Sequence, residues 1–207
     1  MLERFHVPND IAVKIKPEDM HATVLDIFMK MGMSHDDANK ASEVLVYADV
    51  RGIESHGVSN MLRRYVEAFN KGDINPTPKP KIIRDMPAAA LLDCDDGHGL
   101  VVGPIAMDMA IERAKKYGIG TITARNGKHF GAAAFHAGMA LDHNMIGLSM
   151  TTGGMQVVPV DGSKPMFGLN PIAIAVPTNT EAPFIFDASM SSVAGNKIAL
   201  AQRLNVP

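Results

Sequence analysis

The chain has 207 residues, 46% of them hydrophobic and 20% charged, a balance that supports a buried core and argues against disorder. Lys plus Arg number 20 against 22 Asp plus Glu, so the chain carries no excess of positive charge for general nucleic-acid binding. The lone Cys94 makes no internal disulfide and no CxxC or Cys/His zinc pair, Met1 to Asp10 lacks the apolar core of a signal peptide, and no stretch is long and apolar enough for a bilayer. We therefore expect a cytoplasmic protein with no metal site and with no membrane or nucleic-acid partner.

The first third reads as helices. Pro17 suits a first turn, Glu18 and Asp19 suit its positive end, and Met20, Val24, Ile27, Phe28 and Met31 recur at helical spacing up to Gly32. Ser34 with Asp37 makes a weak capping box for a second helix, whose stripe is Ala41, Val44, Leu45 and Ala48. A third helix follows Ser55, with Val58, Met61, Leu62, Tyr65, Val66 and Phe69 inward, and stops near Gly72. Pro76, Pro78 and Pro80 mark an extended connector. The expected division is a helical segment over 1–75 and an α/β domain over 76–207.

The remainder alternates. Strands are expected at Ala88–Leu92, Gly120–Ala124, Met145–Met150, Ile172–Val176 and Phe184–Asp187. Helices are expected at Gly103–Tyr117, Gly131–His143 and Ser192–Leu204. The alternation implies an α/β fold with some crossover connections. The 15 methionines are read as packing residues.

Four segments carry polar chemistry. Gly97, Gly99 and Gly103 imitate a dinucleotide fingerprint with one extra residue, but Asp93, Asp95 and Asp96 stand before them and would repel a pyrophosphate. A tight turn with a close helix–sheet contact is the favoured reading there. In the second, Asp49 to Gly57, Arg51 can grip a carboxylate, while Ser55 and His56 open a helix; a surface Arg51–Glu54 pair and a solvated turn histidine fit the same residues. In the third, Arg125 to Gly131, His129 can exchange a proton with a substrate oxygen, and Lys128 or Arg125 can hold an anion; a ligand-free polar turn is the alternative. The fourth, Phe186 to Ser192 followed by Lys197, offers hydroxyls and backbone N–H groups to phosphate or ribose, or is an ordinary serine-rich helix start. Asn170 before Pro171 reads as a fixed turn.

Taken in order, these motifs resemble one family. Asp49-Val50-Arg51-Gly52 leading to Ser55-His56-Gly57, then His129-Phe130-Gly131, then Gly168-Leu169-Asn170-Pro171, then Phe186-Asp187 with Ser189, Ser191, Ser192 and Lys197, are similar to the signatures of the type-2 malate/lactate dehydrogenases. The resemblance runs from about Pro17 to Pro207 and implies a mixed α/β fold that binds NAD or NADP without a Rossmann domain. It also implies a homodimer acting on a small 2-oxo or 2-hydroxy acid, and a chain that stops before the family's fold is complete. A catalytically incomplete fragment serving only as a binding module is the alternative.

Carried over residue by residue, the resemblance implies His129 and His56 as the proton-handling pair, His129 ahead of His56. It implies Arg51, Ser55, Asn60, Arg63 and Lys128 around the substrate. It implies Gly153, Asn170, Pro171, Asp187, Ala188, Ser189 and Lys197 around the cofactor. Three positions depart from the family pattern: Asn60 stands where many members have an arginine, Leu169 where a threonine is frequent, and Lys128 where a small or amide residue is frequent.

Overall fold

A computed structural model describes residues 9–205. They form two compact units, 9–132 and 133–205.

In the first unit, α1 (Pro17–Lys30) starts at Pro17, as its first-turn geometry favours, and buries Val24 and Phe28. The Ser34 hydroxyl accepts the Asp37 amide and caps α2 (His35–Val50). Ala41, Val44, Leu45 and Ala48, the expected stripe, are fully buried. A single 3₁₀ turn at Glu54–His56 leads into α3 (Val58–Lys71), which ends on Gly72 in the left-handed conformation at φ 76°. In place of a side chain from its own start, α3 uses the distant Asp49 carboxylate, which accepts the Val58 amide at 2.7 Å.

Strand β1 (Lys81–Asp85) lies where the reading above has only connector and unassigned chain. All five of its residues are exposed, so no inward apolar alternation announces it. It pairs antiparallel with β2 (Ala89–Asp93). β2 crosses through α4 (Gly99–Tyr117) to the parallel β3 (Thr121–Arg125), which gives the expected crossover. α4 begins four residues earlier than its apolar pattern suggests. Its cap is His98, whose Nδ1 accepts the Leu100 amide at 3.2 Å, and histidine is an unusual cap residue.

The helices and this sheet share one body. α1 packs on α2, α2 packs on α4, and Asn75 bridges to Gly97 across the proline-rich connector. The chain passes from the first compact unit to the second at Ala132–Ala133.

The second unit contains α5 (Ala133–Gly138), a 3₁₀ turn at Met139–His143, and an antiparallel sheet. The sheet is formed by β4 (Gly147–Met150), β5 (Ile172–Val176) and β6 (Phe184–Ala188), and α6 (Gly195–Leu204) follows. The single helix expected over Gly131–His143 is thus a short α-helix and a 3₁₀ turn. Small residues set the spacing here: Ala133, Ala134, Ala137 and Ala140 are buried, and a Cβ on Gly147 would run into the Ala137 carbonyl. Among the described residues, no helix is long and apolar enough to cross a membrane.

Candidate active site

The first unit brings the two histidines together. His56 comes from the 3₁₀ turn before α3, and His129 from the loop after β3. Their rings stack at 5.5 Å between centroids and 16° between planes. The Tyr65 hydroxyl meets His129 Nδ1 at 2.7 Å, and the Gly131 amide donates to the same nitrogen at 3.3 Å. His129 is packed on that flank and exposed overall, with more than a third of its surface accessible. The Ser55 hydroxyl pairs with His56 Nδ1 at 2.9 Å.

Behind this pair lies an aromatic floor. Tyr65 is 3% exposed and stands edge-to-face with His98, centroids 4.3 Å apart. His98 is buried among Phe28, Phe69 and Tyr65. Because its Nδ1 accepts the Leu100 amide, its proton sits on Nε2, which has no hydrogen-bond partner among the described residues. Burial, with a smaller push from His129, lowers the His98 pKa to about 3.

The electrostatics favour neutral rings. Packing of its inner flank, then His56, then Arg64 lower His129 to about 4. Burial lowers His56 as well. Burial pushes the Tyr65 phenol well above its ordinary value, opposed in part by Arg64. At neutral pH both imidazoles are uncharged and the phenol keeps its proton.

The expected substrate residues divide. Ser55 and Asn60 belong to this cluster, since the Asn60 amide donates to the Ser55 carbonyl at 2.9 Å. Arg51 lies over the Tyr47 ring at 3.8 Å, Arg63 pairs with Glu67 at 3.2 Å, and Lys128 pairs with Asp96 at 2.7 Å. The guanidinium felt at His129 is that of Arg64. Tyr65 and His98 were not legible as site residues. Tyr65 sits in an apolar stripe, where the useful signal is that a buried phenol must find a partner.

The glycine-rich segment 97–103 is absorbed by packing. Asp95 accepts the Lys79 backbone amide, and Arg125 and Lys128 pair with Asp93 and Asp96. A Cβ at Gly99 would stand 2.6 Å from the His129 carbonyl oxygen and from Phe130 Cα, so this glycine lets α4 approach the histidine loop. The sequence favours a close helix–sheet contact there; the close contact is instead between the helix start and the loop after β3.

The second unit gathers six of the residues expected at the cofactor. Asn170, at φ 43°, accepts the Gly153 amide through its Oδ1 at 3.2 Å. Pairing of β5 with β6 places Ala188 opposite Ile172, beside Pro171, and the Met190 amide donates to the Leu169 carbonyl. Gly153, Asn170, Pro171, Asp187, Ala188 and Ser189 thus share one neighbourhood. Asp187 accepts the Ala134 amide at 2.8 Å, and burial raises its pKa against that bond. The Ser189 hydroxyl donates to the Ser191 carbonyl at 2.9 Å. Lys197 stands in the first turn of α6.

Comparison with known proteins identifies the family. A sequence model of the malate/L-lactate dehydrogenases matches residues 15–207. The chain is 42% identical to a malate dehydrogenase of Pyrococcus abyssi, over 98% of this chain and 55% of that protein. It is 37% identical to an L-sulfolactate dehydrogenase of Methanocaldococcus jannaschii, over 93% and 56%. The structure of malate dehydrogenase from Pyrococcus horikoshii superposes with a TM-score of 0.89 at 39% identity, covering 93% of this chain and 55% of that one. The chain spans about half the length of the relatives it matches. With these matches covering nearly all of its length, the chain belongs to the malate/L-lactate dehydrogenase family.

Proposed function

We propose that the protein transfers a hydride between NAD or NADP and a small 2-hydroxy or 2-oxo acid, as a cytoplasmic homodimer. The observation that carries this reading is the stacked pair His56–His129, two imidazoles distant in the chain and held neutral, one of them open on its outer side. Relatives named malate dehydrogenase and L-sulfolactate dehydrogenase support the substrate class.

The second unit's donor set fits a nicotinamide dinucleotide. The Ser189 and Ser191 hydroxyls donate to the Ser191 and Val193 carbonyls and keep lone pairs that can accept from ribose hydroxyls, and a side chain at Gly154 would meet nothing within 4 Å, so the backbone is open to a ligand there. Bound, the nicotinamide supplies the hydride chemistry. In reduction, His129 hydrogen-bonds the substrate oxygen as charge develops on it and passes it a proton that solvent replaces at the exposed ring, and His56 stands beside it as the second proton-handling group. Arg64 attracts the substrate carboxylate towards the histidines. Gly153, Asn170, Pro171, Asp187, Ala188, Ser189 and Lys197 hold the cofactor.

The test is a panel of 2-oxo acids with NADH and with NADPH, run on the protein expressed from its complete reading frame. Turnover of one or more 2-oxo acids is expected, and His129→Ala should lower it by about 10²- to 10⁴-fold. An unaltered rate in that variant removes His129 from the mechanism. The coverage of 55% favours a second reading, a catalytically incomplete piece that only binds. It predicts cofactor binding without turnover by the 207-residue chain.

A further inference from the structure

We propose that Tyr65, together with the Gly131 amide, is a positioning residue that locks His129 in its Nε2–H tautomer, so that the outer nitrogen presents a hydrogen-bond donor to the substrate oxygen. The catalytic consequence rests on the reading of His129 given above; the tautomer does not.

An amide can only donate, and the Gly131 N–H points at His129 Nδ1 at 3.3 Å. The Tyr65 hydroxyl lies 2.7 Å from the same atom and has no other partner among the described residues. Buried as it is, the phenol keeps its proton and donates it. Two donors converging on one ring nitrogen require its lone pair, so the ring proton resides on Nε2. A proton on Nδ1 would face the Gly131 N–H head-on and leave the phenol proton without an acceptor. Nε2 itself makes no hydrogen bond among the described residues, and the residue is exposed.

The lock is supported from below. Tyr65 rests edge-to-face on His98, which is enclosed by Phe28 and Phe69, so the phenol has packed neighbours where it would have to swing. Gly131 is held by fit: φ is 78°, and a Cβ there would come within 2.7 Å of Leu100 Cδ2. The titratable groups around the ring are His56 from the 3₁₀ turn, Arg64 and Tyr65 from α3, and His98 from the start of α4. None of them supplies a negative charge at neutral pH that would favour an imidazolium. The ring therefore offers an N–H while uncharged.

The experiment is long-range ¹⁵N–¹H correlation on histidine-labelled chain, wild type and Tyr65→Phe, between pH 8 and 5. In the wild type, the His129 Nδ1 shift should be that of a bare ring nitrogen and Nε2 that of a protonated one. In Tyr65→Phe the Nε2–H to Nδ1–H ratio should fall by roughly tenfold, the effect of one hydrogen bond lost. The His98 signals should keep their Nε2–H pattern and certify the fold. A proton on Nδ1 in the wild type overturns the proposal, as does an unchanged ratio in a folded variant. Should the variant fail to fold, the wild-type tautomer alone decides. In the enzyme from the complete reading frame, Tyr65→Phe should lower kcat by about tenfold with KM changed less than about twofold. If His129→Ala leaves turnover intact while the tautomer is as stated, the functional reading fails and the lock stands; the opposite pair of results separates them the other way.

Discussion

Gly99 and His129 are in backbone contact: the space a Cβ would need on Gly99 is taken by the His129 carbonyl oxygen, 2.6 Å away, and by Phe130 Cα. The first turn of α4 therefore sets the height of the histidine loop.

Gly99→Ala should displace that loop, because backbone cannot give way as a flexible side chain can. We expect a loss of about 1–3 kcal/mol in urea-denaturation stability. His129 should lose its upfield or downfield ring-current signature from the His56 stack in the ¹H spectrum. Full retention of both the stability and the ring shifts would show that the contact relaxes freely.

Asp49 caps α3 from outside the helix, accepting the Val58 amide at 2.7 Å, and the position of Gly57 is packed against the same carboxylate, 2.5 Å from Asp49 Cγ to a would-be Cβ. Asp49→Ala should cost about 1 kcal/mol, the usual value of a lost helix cap. Since His56 directly precedes Gly57, the variant should also loosen the histidine stack. Chemical denaturation measures the first effect and histidine line widths the second.

Stability should depend on pH through the histidines. His129 and His98 are lowered to about 4 and about 3, and His56 is lowered too. An unfolded histidine titrates near 6.5, so between that value and the folded pKa the unfolded chain binds more protons. The sign is therefore a loss of stability as pH falls from about 6.5 towards 4, with the full value present above 6.5. Guanidinium midpoints across that range check it. His98→Phe should flatten the dependence, while costing about 1 kcal/mol at pH 7 for the lost Leu100 cap. A midpoint constant from pH 7 to 4.5 in the wild type contradicts this account.

Arg64, and not Arg63, should attract the substrate. Arg63 pairs with Glu67 on the exposed face of α3, and Arg64 is the cation whose charge reaches the His129 ring. If the proposed activity holds, Arg64→Ala in the protein expressed from its complete reading frame should raise KM for a 2-oxo acid by about 10- to 100-fold, the range of one lost charge-assisted contact. It should also raise the pKa of His129, because a like charge is gone. Arg63→Ala should change KM by less than about twofold. Equal effects from the two variants would place the anchoring cation elsewhere.

Local patterns were good guides wherever the determinant is local. Ser34 with Asp37, the stripe from Ala41 to Ala48 and the stop at Gly72 all appear as expected, since each depends on residues within one or two turns. β1 escaped because its five exposed residues carry no alternation, and the early start of α4 escaped because its cap is a histidine. The close approach of β4 to Ala137 is a contact between separate elements, which no local pattern carries.

The candidate site divides along the same line. Order and spacing of short motifs were sufficient to assign the family and to single out His56 and His129, because those motifs are contiguous residues. The sequence by itself thus determined the first three helices, the crossover strands and the family, and it singled out the two histidines as candidates. Only the tertiary structure decided that Tyr65, 64 residues before His129, touches its Nδ1, that Arg63 pairs with Glu67, and that Lys128 is held by Asp96. The physical reason is that a hydrogen bond or a pKa shift depends on distance through space over a few ångströms, and folding brings together in space residues that the order of the chain keeps apart.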